Sequence, residues 1–282
     1  MVHTHEHAHA QNGSQRRLLA ALVLTSAFAI FEAAVGWFSG SLTLLGDAGH
    51  MLTDSAAVGI GVAAAWLSQK PPSARHSYGF KRAEIIGALI NVLFMVAIVV
   101  AIGITAIDRL LEPQPVAGLA VIIVGFAGLL VNLLAVWVLR GDSESLNVPG
   151  ALLHVFGDLL GSVAALAAGA VIWWTGWMPI DPILSIFIGL LILVSSVRLL
   201  REILHVLMEG VPPHVDLDEV ARAMVSVNDV VSVHDLHVWS LGSRACALSA
   251  HVRITDMRCW PTALDLLKNM LGNRFALTHT TL

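Results

Sequence analysis

The sequence predicts a membrane all-α domain of six transmembrane helices, followed by a small cytosolic α+β domain. Of its 282 residues, 56% are hydrophobic and only 13% are charged, whereas soluble domains have roughly 25% charged residues. Six apolar runs are each long enough to cross a bilayer, which takes about 20 residues. After residue 207 the chain changes to a mixture of charged and apolar residues. This composition excludes an ordinary cytosolic enzyme.

The predicted transmembrane domain covers residues 16–207, after a histidine-containing N-terminal tail at 1–15. The first run contains Ala27-Phe28-Ala29, which resembles a signal-peptidase site, but it is too long for a signal-peptide core and is predicted to be retained. Only the second and fifth runs carry several ionisable residues well inside them. The six predicted spans are Leu18–Trp37, Leu42–Leu67, Ile85–Ile107, Val116–Leu139, Val148–Gly176 and Pro182–Leu200.

Basic residues are distributed unevenly between the connections, and they accumulate on cytoplasmic loops in membrane proteins. The opposite side of the predicted membrane domain has Arg109 alone. This asymmetry predicts that both termini are cytoplasmic. Nine residues lie on the predicted cytoplasmic side: Arg16, Arg17, Lys70, Arg75, Lys81, Arg82, Arg140, Arg198 and Arg201.

Residues 208–282 predict a domain with the element order αββαβ, its helices on one face of the sheet. Asp216 is a predicted helix N-cap, and Gly242-Ser243 is a predicted two-residue hairpin turn. The last strand has no terminating signal before Leu282, so we expect the tail to be truncated. The predicted elements are Leu217–Val227, Val230–Leu241, Arg244–Ile254, Thr262–Gly272 and a strand starting near Phe275.

Charge and cysteine content narrow the possible partners. The net charge is -4 and basic residues form no long run, so the electropositive surface that nucleic acid requires is absent. Cys246 and Cys259 lack the spacing of a metal or redox motif and are expected to be reduced packing residues.

Two predicted spans each contain a histidine and an aspartate separated by four residues: His50 and Asp54 in the second, His154 and Asp158 in the fifth. Residues four apart share one face of a helix. Ionisable groups at membrane depth cost about 2.5 to 3.5 kcal/mol each, so these four require compensation. Two imidazoles and two carboxylates form a tetrahedral site suited to zinc, and cobalt or cadmium fits the same ligands.

The alternative is that these pairs are His–Asp hydrogen bonds between helices, but two copies in two spans favour the metal site. Histidine binds metal only when neutral, so binding is expected to displace protons. Asp47 is expected to cap or pack near the end of its span. Three other polar residues are expected to make interhelical hydrogen bonds: Glu32, Asn91 and Asn132.

Histidines also occur outside the spans. His3, His5, His7 and His9 alternate in the N-terminal tail, a pattern that captures metal loosely in an unfolded segment. His205 and His214 are interpreted as structural.

The predicted hairpin places two further histidines together. Counting from the turn puts His234 opposite His251, which invites a metal, and His279 on the third strand is a further candidate ligand. Strand parity places His237 on the other face from His234. Ordinary surface histidines remain the alternative.

Together these residues resemble the cation diffusion facilitator family, in its branch of bacterial zinc exporters and vesicular zinc transporters. The similarity covers nearly the whole chain. It is carried by the segments 46–54, 76–84 and 233–239 and by the pair His154 and Asp158. The resemblance implies a homodimer in a bacterial inner membrane that exports zinc from the cytosol in exchange for protons.

The resemblance also implies roles for individual residues. It matches His50, Asp54, His154 and Asp158 to the transport site, with Zn2+ as substrate. It matches His234, His251 and His279 to a zinc site of a metallochaperone-like tail domain, where zinc is a regulatory ligand. Arg82 and Glu209 match a charge pair that holds dimers together in relatives.

Three departures from the family pattern stand out. Only His76 matches a loop cluster found in relatives, the connection Gly141–Asn147 contains no histidine, and Thr281 stands where some relatives have an acidic ligand. The loop and tail sites are therefore expected to be incomplete.

Two other functions are less consistent with the sequence. A membrane-bound zinc sensor needs an output domain, for which the tail leaves little room. An intramembrane zinc hydrolase needs a metal with an open position and a general base, usually in HExxH, and this motif does not occur. The protein is thus predicted not to be an enzyme, and its expected partners are divalent metal ions, protons, the lipid bilayer and a second copy of itself.

Overall fold

The computed structural model describes residues 4–139, 148–242 and 245–282. Within these ranges six helices are long and apolar enough to cross a membrane, which confirms the predicted class of fold. Their bounds are α1 Thr4–Ser39, α2 Leu42–Ser68, α3 Ala83–Leu111, α4 Gly118–Leu139, α5 Val148–Thr175 and α6 Ile180–Leu207. The predicted N-terminal tail is helical from Thr4 onward, so the described part of it is not the unfolded segment that was expected; His3 lies outside the described residues.

The described chain divides into two compact units. One comprises the residues up to Val58 together with Asn91–Val197, and the other comprises Gly59–Ile90 together with Arg198–Leu282. The first unit contains most of the membrane helices. The second contains the predicted tail domain and the adjoining ends of α2, α3 and α6.

Helices α4 and α5 of the first unit pack with their backbones in near contact. A Cβ atom on Gly125 would lie 3.0 Å from the Leu166 backbone nitrogen, and one on Gly169 would lie 2.8 Å from that of Ile122. Small residues allow such close approach in membranes, where van der Waals packing drives helix association. Asn132 of α4 also donates from Nδ2 to the Ser162 hydroxyl at 3.3 Å, as predicted for an interhelical hydrogen bond.

The N-terminus of α2 is capped by a side chain from another helix. Asp181, at the start of α6, is fully buried. Its Oδ2 accepts from the Leu42 backbone nitrogen at 2.7 Å, and its Oδ1 accepts from the Ser41 hydroxyl at 2.6 Å and from the Thr43 nitrogen at 3.3 Å. The first N–H groups of a helix have no partner inside it, and a carboxylate there also complements the helix dipole. Asp181, and not Asp47, therefore provides the cap.

The tail domain has the predicted αββαβ order. Its elements are α7 Leu217–Val225, β1 Val230–Gly242, β2 Ala245–Ile254, a 3-10 turn Met257–Cys259, α8 Trp260–Phe275 and β3 His279–Thr281. As predicted, Asp216 caps α7: its Oδ1 accepts from the nitrogens of Asp218 at 2.9 Å and Glu219 at 3.1 Å. The predicted start of the last strand at Phe275 is wrong, because α8 continues to that residue and ends where Ala276 adopts a left-handed conformation.

A core on one face of the three-stranded sheet holds the tail domain together. Strand β1 pairs antiparallel with β2, and β3 pairs parallel with β2 on its other edge. The helices pack on the same face, which buries apolar side chains from every layer. The fully or nearly buried members are Val215, Val220, Met224, Val238, Leu248, Ala250, Leu267, Leu271 and Leu277.

The hairpin register confirms the predicted pairing of His234 with His251, although the predicted turn was wrong. Gly242 pairs with Ala245, so the register at this end of the hairpin is shifted from the predicted one. Irregularities in β1, between Ser240 and Gly242 and between His234 and His237, then shift the register back. The two errors cancel at the histidine pair.

The parity prediction for His237 is also wrong. Asp235 has a positive φ of 51° within the irregular segment, and a bulge breaks strand alternation. His234 and His237 are consequently both exposed, while Val233 and Leu236 pack against the core.

We expect Asp181→Asn to destabilise the membrane domain. The side-chain amide would place its own N–H donor against one of the N–H or O–H groups that now donate to the carboxylate. Leaving a buried donor unpaired costs about 1 to 3 kcal/mol. Thermal unfolding in detergent, followed by tryptophan fluorescence, should show a lower midpoint. Asp108→Asn is the matched control at an exposed position; an equal midpoint for both variants would contradict the capping role.

Candidate metal-binding sites

Helices α2 and α5 bring an imidazole and two carboxylates together within the first unit. His50 Nδ1 lies 3.5 Å from Asp54 Oδ2, one turn further along α2. His50 Nε2 lies 3.8 Å from Asp158 Oδ1 on α5. One ligand atom from each residue lies within 4.8 Å of the others. We call these three residues the membrane cluster.

The spacing in the membrane cluster fits a small tetrahedral cation. Zinc binds nitrogen and oxygen at about 2.0 to 2.2 Å, so neighbouring ligands of one ion are separated by roughly 3.4 Å. The two separations in the structure, 3.5 and 3.8 Å, need only slight closure to reach that value. Asp158 is buried, while His50 and Asp54 are half-buried, so the site remains accessible.

His154, the fourth predicted ligand, lies on α5 four residues before Asp158. The structure describes its backbone as helical, but its side chain lies outside the described part of the chain. The backbone spacing alone therefore supports a place on the same helical face as Asp158.

Two further carboxyl groups are buried near the membrane cluster. Glu32 of α1 is fully buried and Asp47 of α2 is 2% exposed. Neither oxygen of Glu32, nor Oδ2 of Asp47, has a hydrogen-bond partner among the described residues. Among the described residues, the expected interhelical hydrogen bond of Glu32 is thus not formed, and Asn91 Oδ1 likewise has no partner there.

The tail domain contains a second group of metal-ligand atoms, formed by His234, His251 and Asp235. The imidazole centroids are 5.3 Å apart, and Asp235 Oδ2 lies 3.2 Å from His251 Nδ1. All three residues are exposed. We call them the tail cluster.

His279 and His76 lie apart from the tail cluster. His279 pairs with Ala247 on β2, four residues from His251, which is about 13 Å along a strand. Its ring packs edge-on against Tyr78, with centroids 5.7 Å apart. The His76 ring lies 4.5 Å from that of Phe80. The structure brings neither residue into a group of ligands among the residues it describes.

The predicted charge pair is present in the second unit. Arg82 Nη2 donates to Glu209 Oε1 at 3.0 Å. Glu209 has a positive φ of 60° just after the end of α6. The ring of His205 then braces the next segment, with Nε2 at 2.9 Å from the Val211 carbonyl oxygen, which agrees with the structural role expected for this histidine.

Sequence reasoning missed Asp235 as a ligand and Asp181 as a cap. Asp235 adjoins His234 in the sequence, but regular alternation would have placed it on the opposite face. Only the bulge, with its positive φ, turns Asp235 to the side of His251. Asp181 falls in the predicted connection before Pro182, where nothing in the local sequence indicates a partner on α2.

Comparison with known families matches both parts of the chain. The model described as the cation efflux transmembrane domain matches residues 18–208. The model described as the cytoplasmic domain of cation efflux proteins matches residues 212–282.

Individual relatives are similar over almost their whole length. Zinc transporter ZitB of Escherichia coli is 40% identical over 288 residues, covering 100% of this chain and 92% of that protein. Metal cation efflux system protein CzcD of Cupriavidus metallidurans is 39% identical, covering 99% and 88%. The cadmium, cobalt and zinc/H(+)-K(+) antiporter of Bacillus velezensis is 35% identical, covering 99% and 90%. The chain therefore belongs to the cation efflux family of cation diffusion facilitators.

Proposed function

We propose that the protein exports Zn2+ from the cytosol in exchange for protons, with His50, Asp54, His154 and Asp158 as the transport site. Family membership makes it an integral membrane transporter of metal cations, and its bacterial relatives support a place in the inner membrane. The observation that carries the proposal is the membrane cluster, in which two helices each supply ligands to one point in the apolar domain.

The chemistry of the ligands supports zinc as the substrate. One imidazole and two carboxylates in the cluster, with a second imidazole on α5, supply the nitrogen and oxygen atoms that zinc binds tetrahedrally. Calcium and magnesium require more oxygen ligands. Cobalt and cadmium fit the same donors, in keeping with the names of the CzcD and Bacillus relatives.

Proton exchange follows from the histidines. An imidazole binds metal only in its neutral form, and its ordinary pKa of about 6.5 is close to physiological pH. Metal binding then releases protons, and protonation releases metal. The printed name of the Bacillus relative includes proton exchange, which supports the same mechanism here.

The asymmetric distribution of Lys and Arg supports cytoplasmic termini, which is consistent with a tail domain in the compartment from which zinc is removed. Zinc at the tail cluster of His234, Asp235 and His251 then acts as a regulatory ligand. The match to a cation efflux cytoplasmic domain supports a homodimer. Loading of the tail by zinc would report cytosolic metal to the transporter.

We expect His50→Ala/Asp54→Ala to abolish zinc flux in proteoliposomes that carry a pH gradient, because the remaining ligands cannot complete a tetrahedral site. Loss of a group that only hydrogen-bonds a metal ligand already costs about 10 to 100-fold in metal affinity. Removing two ligands themselves should therefore reduce flux more than about a hundredfold. Asp108→Ala, at an exposed end of α3, is the control. Unchanged flux in the double variant would refute the transport site and favour the zinc-sensor alternative.

The tail cluster is tested by His251→Ala, which should lower the number of zinc ions bound by the purified chain while flux through the membrane cluster persists at high zinc. The exposed imidazole supplies one of three described ligands, and its loss should weaken the site at least tenfold, by about 1.4 kcal/mol. Equilibrium dialysis measures this change. His214→Ala is the control, and equal zinc binding by both variants would mean that the tail histidines are ordinary surface residues.

Reversal of the charge pair tests its role in dimerisation. Arg82→Glu places two carboxylates together and should weaken the dimer, and the double variant Arg82→Glu/Glu209→Arg should restore it. Because the pair is partly exposed, the effect should be modest, up to about 1 kcal/mol or roughly fivefold in dissociation constant. Dissociation followed by single-molecule photobleaching in dilute bilayers provides the measurement. Failure of the double variant to recover would indicate a role other than pairing.

A further inference from the structure

We propose that the adjoining ends of α2 and α3 bind an anionic phospholipid, with an acyl chain in an apolar cavity between these helices and the phosphate beside Lys81. We call this space the α2–α3 cavity. The inference goes beyond metal transport. It rests on the proposed function only for the orientation that places these helix ends at the cytoplasmic leaflet of the inner membrane.

The α2–α3 cavity is mainly apolar and lies within the second compact unit. Its volume is about 570 Å³, within the range of roughly 300 to 1,000 Å³ that is typical of small-molecule sites. The two helices line it with small and aliphatic residues, among them Ile60, Ala64, Leu67, Ile86, Gly87 and Ile90. Such walls suit an acyl chain better than a polar metabolite.

Helices α2 and α3 touch at Gly87, and the cavity opens on the surface beside this contact. A Cβ atom on Gly87 would lie 2.8 Å from Ile60 Cγ2 and 3.6 Å from Ala64 Cβ, both on α2. Ile86 and Ile90 line the cavity and are 49% and 42% exposed. Because the exposed surface of a membrane helix faces hydrocarbon, an acyl chain can enter the cavity sideways from the bilayer.

Aromatic residues mark the depth of the cavity in the bilayer. Trp66 of α2 is 64% exposed, and the Lys70 ammonium lies 4.4 Å from the centroid of its ring. Tyr78 lines the cavity and is also exposed. Tryptophan and tyrosine concentrate where headgroups meet hydrocarbon. The cavity therefore extends from headgroup level, near Tyr78, into the hydrocarbon, near Ile60.

Basic residues lie at the headgroup end of the cavity. The connection between α2 and α3, at 69–82, contains four basic residues and no acidic one. Two of them, Lys81 and Arg82, line the cavity. Arg82 pairs with Glu209, whereas Lys81 is exposed and forms no salt bridge within the described part of the chain. Because basic pockets between membrane helices bind anionic headgroups, Lys81 is suited to pair with a phosphate.

The tail domain completes the cavity and holds Lys81 in place. Leu241, near the end of β1, is 2% exposed and lines the cavity. A Cβ atom on Gly242 would lie 2.8 Å from the Lys81 carbonyl oxygen and 3.4 Å from its Cβ, so β1 ends directly against this residue. Tyr78 packs against His279 of β3. A phospholipid in the cavity thus contacts both the membrane helices and the tail domain, and it should stabilise their contact.

Charge favours an anionic lipid over two other occupants of the apolar walls. A zwitterionic headgroup brings its own ammonium group to Lys81, which offsets the attraction of its phosphate. A second copy of the chain in a twofold contact presents the same surface patch, so the basic connections at 69–82 would repel each other. Only an anionic headgroup is attracted without such an opposing term.

The experiment counts lipids on the full chain by native mass spectrometry, with phosphatidylglycerol or phosphatidylcholine of the same acyl chains added in detergent. We expect one phosphatidylglycerol to be retained per chain, with an affinity about fivefold above that for phosphatidylcholine, because one headgroup charge is paired. Lys81→Gln should remove this preference. Lys268→Gln, at an exposed lysine of α8 that does not line the cavity, should preserve it.

A second variant tests the cavity without changing any charge. Ala63 lines the cavity, and Ala63→Trp should fill part of it. Excluding only two methylene groups of an acyl chain from an apolar site lowers affinity about tenfold, so retention of phosphatidylglycerol should fall at least that far. Val62→Trp, at the neighbouring exposed position that does not line the cavity, should retain the lipid. Thermal unfolding of both variants without added lipid verifies that they are folded.

Equal retention of the two lipids by the unmodified chain would overturn the proposal, as would an unchanged preference in Lys81→Gln or undiminished retention in folded Ala63→Trp. The same spectra count protomers. Lipid that is bound to monomers but absent from dimers would assign the cavity to a contact between two copies, and this too would overturn the proposal. His50→Ala/Asp54→Ala should keep the lipid preference while it loses zinc flux, so the lipid site and the proposed transport site are tested separately.

Discussion

A charged side chain inside a bilayer is costly unless a hydrogen-bond donor or an opposite charge compensates it. This constraint governs where the polar side chains of the membrane domain lie. A charged side chain costs about 2.5 to 3.5 kcal/mol at the centre of a membrane helix. Asp181 meets this constraint structurally, because its oxygens accept three hydrogen bonds at the start of α2. Glu32 is equally buried but has no such partner among the described residues. This contrast separates a carboxylate that stabilises the fold from one that has no such structural partner among the described residues.

Much of the fold follows from sequence because hydrophobic length and helical spacing are local properties. Six apolar runs predict six helices, and the four-residue separation within each His–Asp pair is fixed by the helix itself. The pairing of His234 with His251 was also predicted, but through two errors that cancel, since the shifted register at Gly242 is offset by irregularities in β1. A correct contact in a hairpin does not establish that its register is regular.

The features that escaped prediction depend on partners distant in sequence or on unusual backbone conformations. Asp181 and Ser41 are separated by 140 residues, and no local pattern joins them. Asp235 contributes to the tail cluster because a positive φ reorients the strand. The approach of Asp47 to α5 depends on the absence of a side chain at Gly161. Each of these depends on tertiary packing, which periodicity does not encode.

For the metal proposed at the membrane cluster, the same constraint connects occupancy to the separation of helices. Without a cation, the carboxylates on α2 and α5 repel one another; with a divalent cation between them, both are attracted to it. Close backbone contact holds α5 against α4, and hydrogen bonds to Asp181 hold the N-terminus of α2. A change in the electrostatic force between the carboxylates of the membrane cluster therefore acts mainly on the part of α2 beyond its capped end. A ligand shifts a conformational equilibrium only through different affinities for its two states. The two states would differ in the distance of His50 and Asp54 from Asp158, and the affinity for the metal would change with that distance.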